Sequence, residues 1–291
     1  MRAKVQYFIL VLVVCILSLA RADDFDISIK PVELTGELSA DHINVIYADS
    51  LGFLWLGTST GLYRWDGVKA LKFFKESGSE NVTAISQSPT GEFWIGCKDG
   101  SLAFTSQQKL ISFQPVGYSN DTASVSDILI NRNGNVWWST YGSGVYCYYN
   151  HLMFSLNEHN GLTDNYVYEI AFGEEEKVWA ATDNGVNVFY LDTLSNTLVP
   201  EAFPAELPDL IVQTLVRDHE GFMWFGFHQE GIGYYDPQTK MFYKIKDIND
   251  RHLSKVISLS MQNLDVWIVD SQHGLFYSKT SALGYSCCHP V

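Results

Sequence analysis

The sequence predicts an all-β fold, a β-propeller of four-stranded antiparallel blades with six repeats visible. Three observations carry this reading. Tryptophan recurs as Trp55, Trp94, Trp137, Trp179, Trp224 and Trp267, at intervals of 39, 43, 42, 45 and 43. A period near 42 marks a repeated supersecondary unit, which must be settled before anything else. Each tryptophan sits between two turn signals, and the composition is rich in aromatics (14%) and glycine (22 residues). Aromatic side chains suit pleated surfaces, and glycine suits tight turns.

The chain opens on a targeting segment. Arg2 and Lys4 precede an apolar run of 13 residues, Tyr7–Leu19, broken only by Ser18. Ala20-Arg21-Ala22 then offers an A-x-A cleavage site ahead of Asp23, so residues 1–22 read as a secretory signal peptide. The run falls short of the ~20 residues of a spanning helix, and none of that length follows. The mature chain is therefore expected to be periplasmic or secreted, with no membrane span. Phe25–Val32 alternates as a strand does, and is expected to supply the outer strand of the sixth blade.

Residues 23–291 are read as the propeller. Each unit begins with an alternating apolar strand such as Asn44–Ala48 or Ser126–Ile130. Asp49, Ser88, Asn131 and Asp218 then stand three residues before Gly52, Gly91, Gly134 and Gly221, the type I turn preference. The fourth and sixth units lack the glycine, so their turns should differ. A second strand carries the tryptophan. A glycine turn leads to a third strand, and a fourth follows, as in Ala70–Phe74, Leu110–Phe113, Leu152–Leu156 and Met241–Ile245. A four-stranded sheet cannot bury both faces alone; stacking blades radially buries them. The tryptophans are accordingly expected to pack blade against blade rather than to stack on a ligand.

Six third strands are visible, which leaves two readings open: a six-bladed ring closed by residues 25–32, or a seven-bladed ring cut short. Cys97 and Cys147 fall on strands as small buried hydrophobes. Cys287 and Cys288 lie in a C-terminal stretch, Gly284–Val291, that departs from the repeat. The four give no zinc spacing and no readable disulfide framework.

Val45–Gly67, with its sequence VIYADSLGFLWLGTSTGLYRWDG, closely resembles the two-component regulator propeller repeat. Gly36–Asn44 resembles that family's lead-in to a first blade, and Asn160–Asn165 is a second copy. The resemblance covers nearly all of residues 25–278. It implies the outer sensor region of a bacterial hybrid two-component receptor, which binds a ligand, often a carbohydrate fragment, and relays a signal across the membrane. Such receptors continue into a β-sandwich, a transmembrane helix and a kinase or cyclase; this chain shows none of these.

Charge and motifs narrow the chemistry. With 19 basic and 33 acidic residues the net charge is −14, which argues against nucleic-acid binding. No HExxH, GxSxG, phosphate-binding loop or dinucleotide fingerprint occurs. The eight histidines are dispersed, and Glu174–Glu176 reads as a solvated turn. The chain is thus expected to be no enzyme, with no catalytic residues, no metal site and no cofactor. The expected partner is a small molecule or oligosaccharide, held at the channel mouth by loops between second and third strands. Tyr141, Asp183, His228, Glu230 and His273 occupy analogous loop positions in four blades and are the candidate ligand-binding residues. The mix of aromatic, carboxylate and imidazole groups suits a sugar. The alternatives are a protein-interaction scaffold or a propeller lyase or glycoside-cleaving enzyme.

Overall fold

The computed structural model describes residues 35–36, 38, 43–49, 51–73, 81–107, 109–118, 123–247, 253–262, 265–279 and 287–290. They belong to one unit, Leu34–Val291. The signal segment and residues 25–32 lie outside the described residues.

A short β1 (Thr35–Gly36) precedes the first blade, which comprises β2 (Ile43–Ala48), β3 (Leu54–Thr58), β4 (Gly61–Trp65) and β5 (Lys69–Phe73). The second blade is β6 (Val82–Gln87), β7 (Phe93–Cys97), β8 (Leu102–Ser106) and β9 (Lys109–Phe113). The third is β10 (Ser124–Ile130), β11 (Val136–Tyr141), β12 (Gly144–Tyr149) and β13 (Leu152–Leu156). The fourth is β14 (Val167–Phe172), β15 (Val178–Thr182), β16 (Gly185–Asp192) and β17 (Thr197–Glu201). The fifth is β18 (Val212–Arg217), β19 (Met223–Phe227), β20 (Ile232–Asp236) and β21 (Met241–Asp247). The sixth is β22 (Val256–Gln262), β23 (Asp265–Asp270), β24 (Gly274–Lys279) and β25 (Cys287–Pro290). The result is a six-bladed propeller of four-stranded antiparallel blades, as the repeat predicts.

The turn chemistry is the expected one. Gly52, Gly91, Gly134 and Gly221 donate their amides to the carbonyls of Asp49, Ser88, Asn131 and Asp218, closing the turns. Each glycine has a positive φ, between 81° and 97°, which a residue with a Cβ adopts only at a cost. Asp49 and Asp218 do more than turn the chain. One oxygen of each accepts two backbone amides, and the other accepts the indole N–H of Trp55 or Trp224 at 2.8 Å.

The tryptophans pack forward onto the next blade. Trp55 lies against Val82, Ile85, Phe93 and Ile95 of the second blade. Trp94 does the same with Val125, Ile128 and Trp138, Trp137 with Val167 and Ile170, Trp179 with Val212 and Leu215, and Trp224 with Val256 and Leu259. Ring pairs such as Trp55–Phe93, with centroids 4.3 Å apart, add aromatic attraction to the area buried. Cys97 and Cys147 are buried, as expected, and both are free thiols. Burial pushes the Cys97 thiol up to about 11.

Two features go beyond the sequence reading. The strand that follows β24 in the sixth blade is β25, from the C-terminal stretch that departs from the repeat; the expected closing strand, residues 25–32, lies outside the described residues. β25 pairs antiparallel with β24 and parallel with β21, so it joins the fifth and sixth sheets into one. Among the described residues, the ring also has one unpacked seam. In each inner strand one aliphatic residue pairs with the position just after the tryptophan. Ile85, Ile128, Ile170, Leu215 and Leu259 hold this place and are 1–6% exposed, whereas Ile46 in β2 is 60% exposed. Adjacent inner strands pack from β2 through to β22, but no comparable packing returns from β22 to β2 among the described residues. Trp267, whose turn is forward onto that seam, is only half-buried.

Ile85→Ala should therefore cost about 2–5 kcal/mol in urea unfolding, the range for a buried aliphatic truncation. Ile46→Ala should stay within about 0.5 kcal/mol, as surface changes do. Equal losses at the two positions would contradict the open seam.

Candidate functional site

Turns between second and third strands emerge at one end of every blade, together with the links from each fourth strand to the next blade. Tyr141 ends β11, and Asp183 opens the β15–β16 turn of the neighbouring blade. Two residues that sequence reasoning missed bring them together. Tyr166 forms an isolated antiparallel bridge with Tyr141, and the ring centroids are 4.9 Å apart. Tyr168 lies 5.4 Å from Tyr141 and donates its hydroxyl to Asp183 Oδ1 at 2.6 Å. Burial raises the Tyr168 phenol well above its ordinary pKa, and the Asp183 carboxylate adds to the shift, so the hydroxyl stays a donor. Tyr141 and Tyr166 are 45% and 46% exposed. They form an aromatic ledge between the third and fourth blades, with a fixed carboxylate behind it.

The other three candidates lie in the fifth and sixth blades. His228 donates its amide to the Ile211 carbonyl, while its Nδ1 is buried without a partner. Glu230 pairs with Lys244 on the outer strand β21, so its carboxylate is turned towards the rim. His273 Nδ1 sits 2.9 Å from Asp270 Oδ1. Asp270 has a fully buried side chain and also accepts the amides of Ser254, Lys255, Gln272 and His273. Burial alone would raise its pKa, but these donors outweigh burial and hold the carboxyl below the usual range. The His273 ring is thus oriented by a buried carboxylate.

The Asn160–Asn165 motif is structural. Asn160 ties to Asn157 and Ser155, Asn165 accepts the Glu158 amide, and Thr163 donates to the Asn184 carbonyl at 2.7 Å. These bonds brace the link into the fourth blade and hold the Tyr166 segment in place. Among the described residues no group of three or more His, Cys, Asp or Glu side chains is placed to hold a metal ion.

Beneath the ledge, the inner strands carry a relay that sequence reasoning also missed. Each has a one-residue bulge, at Asn44, Thr83, Ser126, Tyr168, Gln213 and Ile257. A bulge leaves a backbone group outside the ladder, and polar side chains of the preceding blade satisfy it. Asp127 accepts the Ile170 amide at 3.1 Å, Glu169 accepts the Leu215 amide at 3.0 Å, and Thr214 Oγ1 accepts the Leu259 amide at 3.0 Å. Thr214 also donates its hydroxyl to Glu169. The signal was present: positions 127, 169 and 214 repeat at the tryptophan intervals of 42 and 45. Asp127 and Glu169 keep some contact with solvent, yet protein surrounds both. Burial raises both carboxyl pKa values, and the field of Asp127 adds to the shift of Glu169.

A family model for the two-component regulator propeller matches residues 37–60. That stretch, residues 37–60, is what the chain shares with the two-component regulator propeller repeat. The matched stretch holds β2, β3 and the Asp49 turn that grips Trp55, so the family pattern coincides with the blade-packing device. A sequence search of curated proteins gave no match.

Solved structures share the fold. The extracellular domain of a hybrid two-component system from B. thetaiotaomicron is 18% identical, over 87% of this chain and 36% of that one, with a TM-score of 0.66. Catalytically inactive virginiamycin B lyase from Staphylococcus aureus, solved with quinupristin, is 14% identical over 86% and 84%, with a TM-score of 0.66. PorZ, a surface component of the type-IX secretion system of Porphyromonas gingivalis, is 19% identical over 82% and 38%, at 0.65. This chain spans about a third of the length of the two-component domain. Among the described residues, no helix is long and apolar enough to cross a membrane.

The carboxyl pair gives the propeller a pH response. Folded, Asp127 and Glu169 keep their protons at pH values where the unfolded chain has released them. Their contribution to stability is therefore fullest below the ordinary carboxylate range near 4. It declines as pH climbs towards about 8. Glu169→Gln should flatten the decline by at most about 1.4 kcal/mol per pH unit, the limit for one proton. Denaturant melts from pH 4 to 8 will test this; identical slopes in both proteins would contradict it.

Proposed function

We propose that this chain is an extracytoplasmic ligand-binding propeller of the sensor type, acting by binding rather than by turnover. Residues 1–22 direct export, with cleavage after Ala22, and the mature chain works in the periplasm or outside the cell. The ligand is of carbohydrate type and rests on the Tyr141–Tyr166 ledge.

The observation that carries this reading is the exposure of those two rings beside the Tyr168–Asp183 pair. A sugar presents C–H faces that pack on an aromatic ring, and hydroxyls that need oriented partners. The ledge supplies the first, and the Asp183 carboxylate, pinned by Tyr168, supplies the second. The repeat, and the shared fold with an extracellular two-component domain, support a sensor role. His273, oriented by Asp270, and His228 are further polar groups on the same end of the ring.

Calorimetric titration of the exported chain against a panel of oligosaccharides tests the proposal. A binder should lose at least about tenfold in affinity with Tyr141→Ala, equivalent to about 1.4 kcal/mol, while the circular-dichroism melt stays unchanged. Undiminished affinity in Tyr141→Ala, or no binder in the panel, would overturn it.

A further inference from the structure

The β14–β15 turn of the fourth blade breaks the pattern set in the first and fifth. Position 173 corresponds to Asp49 and Asp218, each six residues before its tryptophan. Those two carboxylates accept the indole N–H of Trp55 and Trp224. Here the residue is Gly173, and a Cβ built on it would lie 2.2 Å from Trp179 Nε1. The indole occupies the space an aspartate would need. Its N–H has no acceptor, and it is not sealed from solvent.

A cavity of about 320 Å³ opens at this point, between the fourth and fifth blades. That volume is within the range of small-molecule sites. The cavity lies at the end of the blades opposite the Tyr141 ledge, because β14–β15 and β20–β21 turns emerge there. Gly173 and Trp179 line it, over an apolar floor that includes Val188, Met223 and Pro204. At its edge Lys177 pairs with Glu201 at 2.8 Å, and Arg217 with Glu174 at 3.9 Å. Glu175 and Lys240, both exposed and both on the rim, are left without an ion pair. Both have a positive φ, 54° and 59°, within the turns that form the rim.

These groups select a ligand class. Trp179 and Tyr235 are only 8% and 4% exposed, so no open ring face is offered to a sugar, in contrast to the ledge. The cavity offers instead an indole donor, one ammonium, one carboxylate and an apolar floor. We infer that it binds a small zwitterion with an apolar side chain, an amino acid or the end of a short peptide. The ligand carboxylate, entering from the cavity, accepts Trp179 Nε1–H as Asp49 and Asp218 accept the indoles of other blades, with Lys240 beside it. The ligand ammonium faces Glu175, and the side chain covers the floor. This site is independent of the carbohydrate ledge and stands or falls separately from it.

Indole ¹⁵N–¹H NMR of the whole mature chain reads the site directly, with the Trp179 peak assigned from Trp179→Phe. Titration with L-leucine should move that peak selectively and saturably in the millimolar range. N-acetyl-leucinamide, which lacks both charges, should leave it in place. Lys240→Ala and Glu175→Gln change only exposed rim groups, and each should weaken leucine binding at least about fivefold. A Trp179 peak that leucine does not move overturns the inference. So does one that moves equally with N-acetyl-leucinamide, or one that moves with glucose instead.

Discussion

The fold depends on one contact made five times: the tryptophan of each second strand pressed onto an aliphatic residue of the next blade's inner strand. Neither partner is buried by its own sheet. A blade exposes both faces, and only a neighbour removes them from water. The contact is directional, always from one blade to the next in chain order, and the turn aspartates of the first and fifth blades fix the indole that makes it. The inner-strand relay runs in the same direction, from Asp127 to Glu169 to Thr214 to the Leu259 amide. Apolar packing and polar satisfaction therefore point the same way. Ile46 shows the rule by exception: among the described residues no preceding blade packs on β2, and Ile46 is exposed.

Much of this was legible in the residues themselves. Tryptophan spacing, the Asp/Asn/Ser-to-Gly turns and the buried cysteines are local patterns with local physical causes, and each appears where the spacing put it. The strand Cys287–Pro290 was not legible. It is short, ends in proline, and pairs parallel to β21, so neither alternation nor a hairpin turn announces it. The carboxyls of Asp127 and Glu169 were hidden for a different reason. An acid within an apolar strand looks like an outward-facing residue until the bulge that turns it inward is seen.

The candidate site divides along the same line. Tyr141 and Asp183 were recognisable because loop position alone brings them to one end of the ring. Their connection through Tyr166 and Tyr168 depends on a bulge and an isolated bridge, which spacing does not encode. His228, Glu230 and His273 share the loop positions, but their side chains answer to local partners: Lys244 for Glu230 and Asp270 for His273. Loop position places a residue on a face; only neighbouring charges and donors decide where its side chain goes. Gly173 makes the same point in reverse. One departure from the turn pattern lets an indole take the space an aspartate holds in other blades, beside a cavity.

The central claim is that each blade is held by the one before it. Native-state amide hydrogen exchange tests it most directly. The amides of Ile170, Leu215 and Leu259, each bonded to a side chain of the preceding blade, should exchange only through opening of the blade contacts and be among the slowest in the chain. The amides of β2, whose face receives no tryptophan, should exchange markedly faster. Equal protection across all six inner strands would contradict the claim.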